Sequence, residues 1–573
     1  MRIPPQYEKA ESFERDFGDP ADAHSRLSFA TALELDEREE YPSEQHAALD
    51  SWHLPEMYIP AECGGQLKSF EEVLALLRAL SRRDLTVAVS HVITFLGAVP
   101  VWIGGSHEQK RVAADLIRGG GKIAFGLTER THGSDLLANE LEAREEGDRL
   151  SISGEKWLIG NATRSTAMTL FARTRTEGGP RGFSVLFADK RLLDSAGFHH
   201  LPKVKTVGLR GSDLSGICFD RCAAPAASCI GPAGSGFELA LKALQITRIL
   251  CPGLSLGAGD TALRLVLDFA LTRRLYGGSL FDIPHARSTL SSAFIDLLIC
   301  DAVAISAARA LQAYPGQASV WSAAAKYFVP ATIEKVMRDL SVVLGARFFL
   351  RDGHPWNMFQ KMVRDSSIVS VVDGSSMVQL HALGLQLEQL AAEPARPDPD
   401  LSRRLETVFS LSMPLPPFDP KQLDLFSREG DDAVTGIPFL SDQLRSAKAS
   451  EGALNVVDRV SAEHRRLTAD VKQACGLSGR STGLLQLAKR FARLHAAACC
   501  CHFWIHNRDI LGEFFAREEW LSNCLNRLHS EDGTMVEDSC VERELLDRSR
   551  DRRLFSAVPF QLASGAATGT ANE

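Results

Sequence analysis

Apolar residues recur at helical spacing through most of the first 122 residues. EEVLALLRALSRR carries them at steps of three and four, and GSHEQKRVAADLIRGGG reads as a helix stopped by glycines. The texture changes at about Lys122. KIAFGLTE, LSISGEKWLIG, AMTLFARTR and GFSVLFADK are short β-branched or aromatic runs separated by Gly, Asp and Arg. They predict an antiparallel β domain over 123–232. Helical spacing returns with SGFELALKALQITRIL and continues through 284–346 and 357–392, predicting a helical bundle domain at 233–392. Residues 393–438, with AEPARPDPD and MPLPPFDPK, read as a proline-rich extended linker. Residues 439–573 turn helical again, and ASGAATGTANE reads as a frayed tail. The predicted class is α+β and multidomain. An N-terminal helical domain (1–122) and a middle antiparallel β-barrel-like domain precede a C-terminal four-helix bundle and an extra helical C-terminal extension.

Composition narrows the picture only a little. The chain has 573 residues, 45% hydrophobic and 24% charged, with a net charge of −8. That gives no global basic field, so a nucleic-acid partner is not expected. The longest apolar stretch, HVITFLGAVPVWIGG, has 15 residues and contains Pro100. A membrane span needs about 20, so it reads as buried helix. MRIPPQYEKA shows no apolar core and no cleavage-site pattern, so no signal peptide is expected there. Twelve cysteines at irregular spacing suggest buried free thiols in a reducing cytoplasm, with no metal site.

Candidate chemistry sits in six ordered stretches. They are FGLTERTHGSD (125–135), GEKWLIGN (154–161), VGLRGSDLSGICFD (207–220), FALTRRLYGGSLFDIP (269–284), DLSVVLGARFF (339–349) and VVDGSSMVQ (371–379). In this order the set resembles the acyl-CoA dehydrogenase family of flavoproteins, over roughly residues 45–392. The resemblance implies FAD as cofactor and a homodimer or dimer of dimers. An isoalloxazine ring needs an apolar wall, hydrogen-bond donors at its polar edge and positive charge or helix N-termini for its pyrophosphate. Phe125 and Leu127 are expected to supply the wall, Thr128 the pyrimidine-side hydrogen bond and Ser134 a phosphate contact. Arg273 and Tyr276 match the arginine and aromatic residue that cross to the cofactor of a neighbouring subunit. Further cofactor contacts are implied for Leu158, Gly160, His285, Val342, Gly345, Ser375 and Met377, and substrate contacts for Ser134, Arg248 and Gly374.

The chemistry implied is removal of two hydrogens from Cα and Cβ of an acyl thioester carried by CoA or an acyl carrier protein. Electron-transfer flavoprotein or oxygen is the implied acceptor. A carboxylate takes the α proton, and Asp373 stands where the family usually has glutamate. It is one methylene shorter, and a misplacement on the order of 1 Å can cost about 100-fold. The family's other base position carries Thr247, beside Arg248, and threonine cannot serve. Leu158 replaces an aromatic residue and Gly160 a hydroxyl residue, which is expected to open space on one flavin face. Val342 and Met377 replace glutamines, and His285 falls where a glutamine often lies. The alternatives are an oxidase or monooxygenase of this fold, like nitroalkane oxidase with its aspartate base, in which the widened space admits oxygen, and a degenerate binding protein. The departures suit specialised biosynthesis. The C-terminal extension is similar in layout to that of the very-long-chain members. Its segment 480–509 alternates Lys489, Arg490 and Arg493 with an apolar stripe; it is expected to pack over the dimer rather than on a membrane, with GEFFAREEWL as acidic partner.

Overall fold

The computed structural model describes residues 3–175, 178–391, 399–474, 482–529 and 533–563. All but the first residue of the expected frayed tail lie outside them. By internal contacts the chain divides into two units. One holds residues 31–68 and 86–247, the other 1–30, 69–85 and 248–573. The helices of the first 122 residues are therefore shared between the units.

The first unit is built on an eight-stranded sheet. Its strands are β1 (Ile123–Gly126), β2 (Glu142–Glu146), β3 (Arg149–Gly160), β4 (Ala167–Arg173), β5 (Phe183–Asp189), β6 (Phe198–Leu201), β7 (Leu214–Pro225) and β8 (Cys229–Ile230). They run in the order β6-β7-β3-β2-β4-β5-β8, with β1 added beside β4. Most pairs are antiparallel, but β1 runs parallel to β4. Alternation along the strands sorts side chains to two faces. Ala124, Met168 and Leu170 enter one apolar cluster with Ile152 and Phe219. Ile123, Phe125, Phe171 and Phe183 enter another, closed by Ala98, Val101 and Trp102 of helix Leu85–Gly104. Burial on both faces explains why β4 and β5 read as nearly continuous apolar runs.

The second unit is helical. Helix Gly236–Thr272, which begins in the first unit, enters it at Arg248, and helices Pro284–Ala313 and Ala318–Leu344 follow. Between the first two, Arg274–Leu275 pairs with Gly278–Ser279 in a small hairpin where helical continuation was expected. Among the described residues three helices are long and apolar enough to cross a membrane by length and composition: Leu85–Gly104, Gly236–Thr272 and Pro284–Ala313. Their apolar windows are 67%, 89% and 100% buried within the protein. The first runs 20 residues, past the 15-residue run read from the sequence, because Pro100 is accommodated inside it.

The segment expected to be an extended linker is folded where it is described. Leu401–Phe409 is an α-helix burying Leu401, Leu405, Val408 and Phe409, an i, i+4, i+7, i+8 stripe. No proline falls between Pro399 and Pro414 to prevent it. The buried Arg309 guanidinium then donates to the carbonyls of Thr407, Val408, Ser410 and Met413 and to Glu71 Oε2 at 2.7 Å. The far C-terminal strand of chain is fixed as well: Arg78 donates to Phe555 O at 2.7 Å, and Asp301 accepts from Ala557 N at 2.7 Å.

Candidate functional site

In the sheet unit the chain leaves β1 at Gly126 and passes Leu127 and Thr128 alongside β3. Thr128 Oγ1 donates to Trp157 O at 2.8 Å, and Trp157 N donates back to Thr128 O at 3.0 Å. Phe125 is buried in the core, so the wall it was expected to offer is turned inward, and Leu127 is half-buried against the same cluster. Ser134 is exposed in the loop that follows.

That loop is anchored by a residue pair the motif reading passed over. Glu129 is buried, and its carboxylate accepts from Glu140 N at 2.7 Å, Leu141 N at 2.9 Å and Lys156 Nζ at 2.8 Å. Lys156 Nζ also donates to Asn139 Oδ1 at 2.7 Å and Leu127 O at 3.2 Å. Burial works to raise the Glu129 pKa, but Lys156 and the two backbone N–H groups outweigh it and hold the carboxyl below its usual range. Burial pushes the Lys156 ammonium down to about 8, Glu129 offsetting part of the fall. The available signal was a lysine at a buried position of a strand that otherwise alternates in and out.

Two departures from the family pattern lie on β3. The ladder to β7 shifts register between Trp157 and Ile159. Leu158 at this bulge takes a left-handed φ of 57° and is 42% exposed, an apolar surface turned out of the sheet. Gly160 does not open space as expected. A Cβ there would lie 2.3 Å from Ile93 Cδ1, so the side chain of Ile93 occupies the room.

In the helical unit the expected acid sits on a tight turn before helix Ser376–Gly384. Asp373 takes φ 57° and Gly374 φ 95°. Aspartate is one of the few side chains at home in that region, which gives a physical account of an Asp-Gly pair here. Arg248 Nε donates to Asp373 O at 2.6 Å. A Cβ at Gly374 would lie 2.8 Å from Arg248 Nη2, so the tip of that guanidinium would have to shift for any larger residue. Cys251, one turn after Arg248, faces the acid with Sγ 3.9 Å from Asp373 Oδ2. Lys326 is buried nearby and donates to Val369 O. Burial lowers the pKa of both Arg248 and Lys326, with Asp373 and Cys251 opposing the fall, and it pushes the Cys251 thiol up to about 12. Lys326 was legible as the lone charge in WSAAAKYFVP. Thr247, at the alternative base position, spends its hydroxyl on Leu244 O at 3.2 Å.

The remaining predicted positions of this unit are mostly exposed. Arg273 and His285 flank the hairpin, and Tyr276 in its turn is 97% exposed at φ 51°. Val342 and Met377 are also exposed, Gly345 takes φ 64° at the end of helix Ala318–Leu344, and Ser375 precedes helix Ser376–Gly384 without a side-chain cap bond. The residues present suit a flavin dinucleotide: an exposed apolar side chain at Leu158 beside Thr128, and an exposed arginine at 273 free of carboxylate partners among the described residues.

Comparison with known proteins decides the family. Residues 23–119, 124–222 and 234–387 match, in that order, the acyl-CoA dehydrogenase N-terminal, middle and C-terminal domains. The chain belongs to the acyl-CoA dehydrogenase family. It is an oxidoreductase of that family, whose cofactor is FAD. It is 27% identical to the probable acyl-CoA dehydrogenase fadE25 of Mycobacterium leprae (strain TN) over 349 residues, 61% of this chain and 88% of that protein. It shares the fold of butyryl-CoA dehydrogenase from Megasphaera elsdenii, with TM-score 0.62, 22% identity, and coverage of 68% of this chain and 99% of that one. An acyl-CoA dehydrogenase from Bacillus anthracis, complexed with FAD, gives TM-score 0.67 at 18% identity and covers 95% of this chain and 91% of that one. Its fold therefore extends through most of the C-terminal helices.

Proposed function

We propose that this acyl-CoA dehydrogenase family member converts an acyl thioester to its α,β-unsaturated form, with Asp373 as the base that takes the α proton. The observation that carries this reading is the mounting of Asp373. Its main chain is tied by Arg248 Nε, while its carboxylate has a weakly donating thiol, Cys251, as its side-chain neighbour. A general base must have a lone pair free for the proton it removes. Among the described residues no guanidinium or ammonium hydrogen-bonds this carboxylate: Arg248 and Lys326 both spend hydrogen bonds on carbonyls. The turn is thus held rigid through its backbone, and the proton lost from Cα goes to an Asp373 carboxylate oxygen.

FAD, when bound, supplies the acceptor for the hydrogen that leaves Cβ with its electron pair. Thr128, Leu158 and Ser134 would hold it, with Arg273 supplied by a second copy of the chain. The thioester carrier is CoA or an acyl carrier protein, and electron-transfer flavoprotein takes up the electrons in the cytoplasm. The oxidase alternative rests on the aspartate base and on open space at Leu158 and Gly160, and Ile93 fills the second of those positions.

The test is mass spectrometry of products from a panel of acyl-CoA and acyl-carrier substrates under anaerobic conditions, alongside Asp373→Asn. A loss of two hydrogens by the wild type is expected. The variant should retain its flavin and its circular dichroism while slowing by roughly 10²–10⁴-fold, the usual worth of a general base. Full rate in the variant would remove Asp373 from the role.

A further inference from the structure

We infer that the groove among helices Glu451–Gln473, Thr482–Asn507 and Glu518–His529 binds a small amphipathic anion, a short alkyl chain ending in a negatively charged head. The site lies beyond residue 387, where the last family domain ends, so the reaction proposed above does not account for it.

Three observations carry the inference. First, the helices leave a cavity of about 200 Å³ floored by Val460, Leu494, Ala497 and Leu525. The groove is open to solvent on one side, and covering its apolar floor with a hydrocarbon chain would remove that surface from water. The volume is below the ~300–1,000 Å³ of drug-sized sites, which fits a single short alkyl chain. Second, the rim is cationic beyond its own neutralisation. Arg490 is matched by Glu463 and Asp470, at 2.8 and 2.6 Å. Arg459 and Arg493 also line the groove and have no carboxylate partner among the described residues. A guanidinium carries five N–H donors. Arg459 gives one to Asn526 Oδ1 at 2.5 Å, and Arg493 gives one to Leu528 O at 2.6 Å. Third, the chain as a whole carries −8, so paired unmatched arginines over an apolar floor run against its bulk charge. Among the described residues no carboxylate of the acidic segment pairs with this helix: Glu513 pairs with Arg517, and Glu518 accepts from Ser450.

One head-group chemistry has two sources, a free short-chain carboxylate or the head of an anionic lipid. Calorimetric titration of the full chain with octanoate, and with octanol as the uncharged control, tests the site. Octanoate should bind one to one and octanol more weakly. The double variant Arg459→Gln, Arg493→Gln should weaken octanoate at least tenfold and leave octanol within about twofold. Because Arg493 also caps the end of helix Glu518–His529, a second variant is needed. Ala497→Leu fills the cavity with both arginines in place and should abolish binding of octanoate and octanol alike. Co-sedimentation with phosphatidylglycerol vesicles that the double variant loses would identify the lipid head as source. Octanoate binding without co-sedimentation would identify the free anion. The inference is overturned if the wild type does not bind octanoate, or if either variant binds it as the wild type does.

Discussion

The two stretches that carry the site chemistry are held by opposite means. In the sheet unit, Glu129 and Lys156 close on one another and on the backbone around them, and every hydrogen bond of the pair serves to fix the loop. In the helical unit, Arg248 and Lys326 lie close to an acid yet bond to carbonyls, and the Asp373 carboxylate is left to face other chemistry. A buried acid satisfied on all sides is scaffolding. A half-buried acid whose neighbours hold the main chain instead is equipped to accept a proton. Both acids fall in family motifs, and the hydrogen-bond partners separate the two roles.

The sharpest way to break the comparison is Lys156→Met. It strands the Glu129 carboxylate in a buried site, and removing one partner of a buried pair costs about 3–5 kcal/mol. Thermal unfolding should register that loss, whereas Asp373→Asn should leave the transition nearly in place. Next comes Asp373→Glu. If the turn is built for the shorter acid, the extra methylene displaces the carboxylate by on the order of 1 Å and slows turnover by about 100-fold. A faster variant would mean that substrate sits farther from the turn.

A similar contrast recurs on helix Thr482–Asn507. His495 pairs with Asp431 at 2.6 Å; burial works against its protonation, but the acid prevails and raises its pKa well above the ordinary value. About two turns on, His502 bonds to Ala433 O, and burial pushes its pKa down to about 3. Between pH 6.5 and 3 the unfolded chain binds a proton at His502 that the folded chain refuses. Stability should therefore fall with acidification through that window, by up to about 1.4 kcal/mol per pH unit. His495 adds no slope there, being protonated in both states. A denaturation series with His502→Asn should flatten this dependence. The smallest expected effect is Gly160→Ser. It restores a hydroxyl at the family position but must displace the tip of Ile93, for about 1 kcal/mol.

Local pattern made the sheet texture, the long helices and the six motifs legible, because each depends on neighbours within a few residues. Helix Leu401–Phe409 is also legible, in Leu401, Leu405, Val408 and Phe409, but that short stripe lies between prolines whose fixed φ favours extended chain. What local pattern does not carry is which distant side chain fills a space. Gly160 read as a vacancy because Ile93 lies 67 residues earlier, on a helix of another segment. Arg490 was expected to meet GEFFAREEWL and instead meets Glu463 and Asp470 on the helix before it. The acid of the turn was visible from its motif, whereas Cys251 and Lys326 belong to its surroundings through packing alone.

Arg309, Arg78 and Asp301 have a consequence for how this chain can be divided. Each lies inside the helical unit and takes part of its hydrogen bonding from residues beyond 400. A stop codon after residue 392 would leave two guanidiniums and a carboxylate buried with those partners gone, in the part that holds Asp373. The segment after the bundle is therefore not a detachable appendage, and a shortened gene should yield insoluble protein rather than a smaller working enzyme.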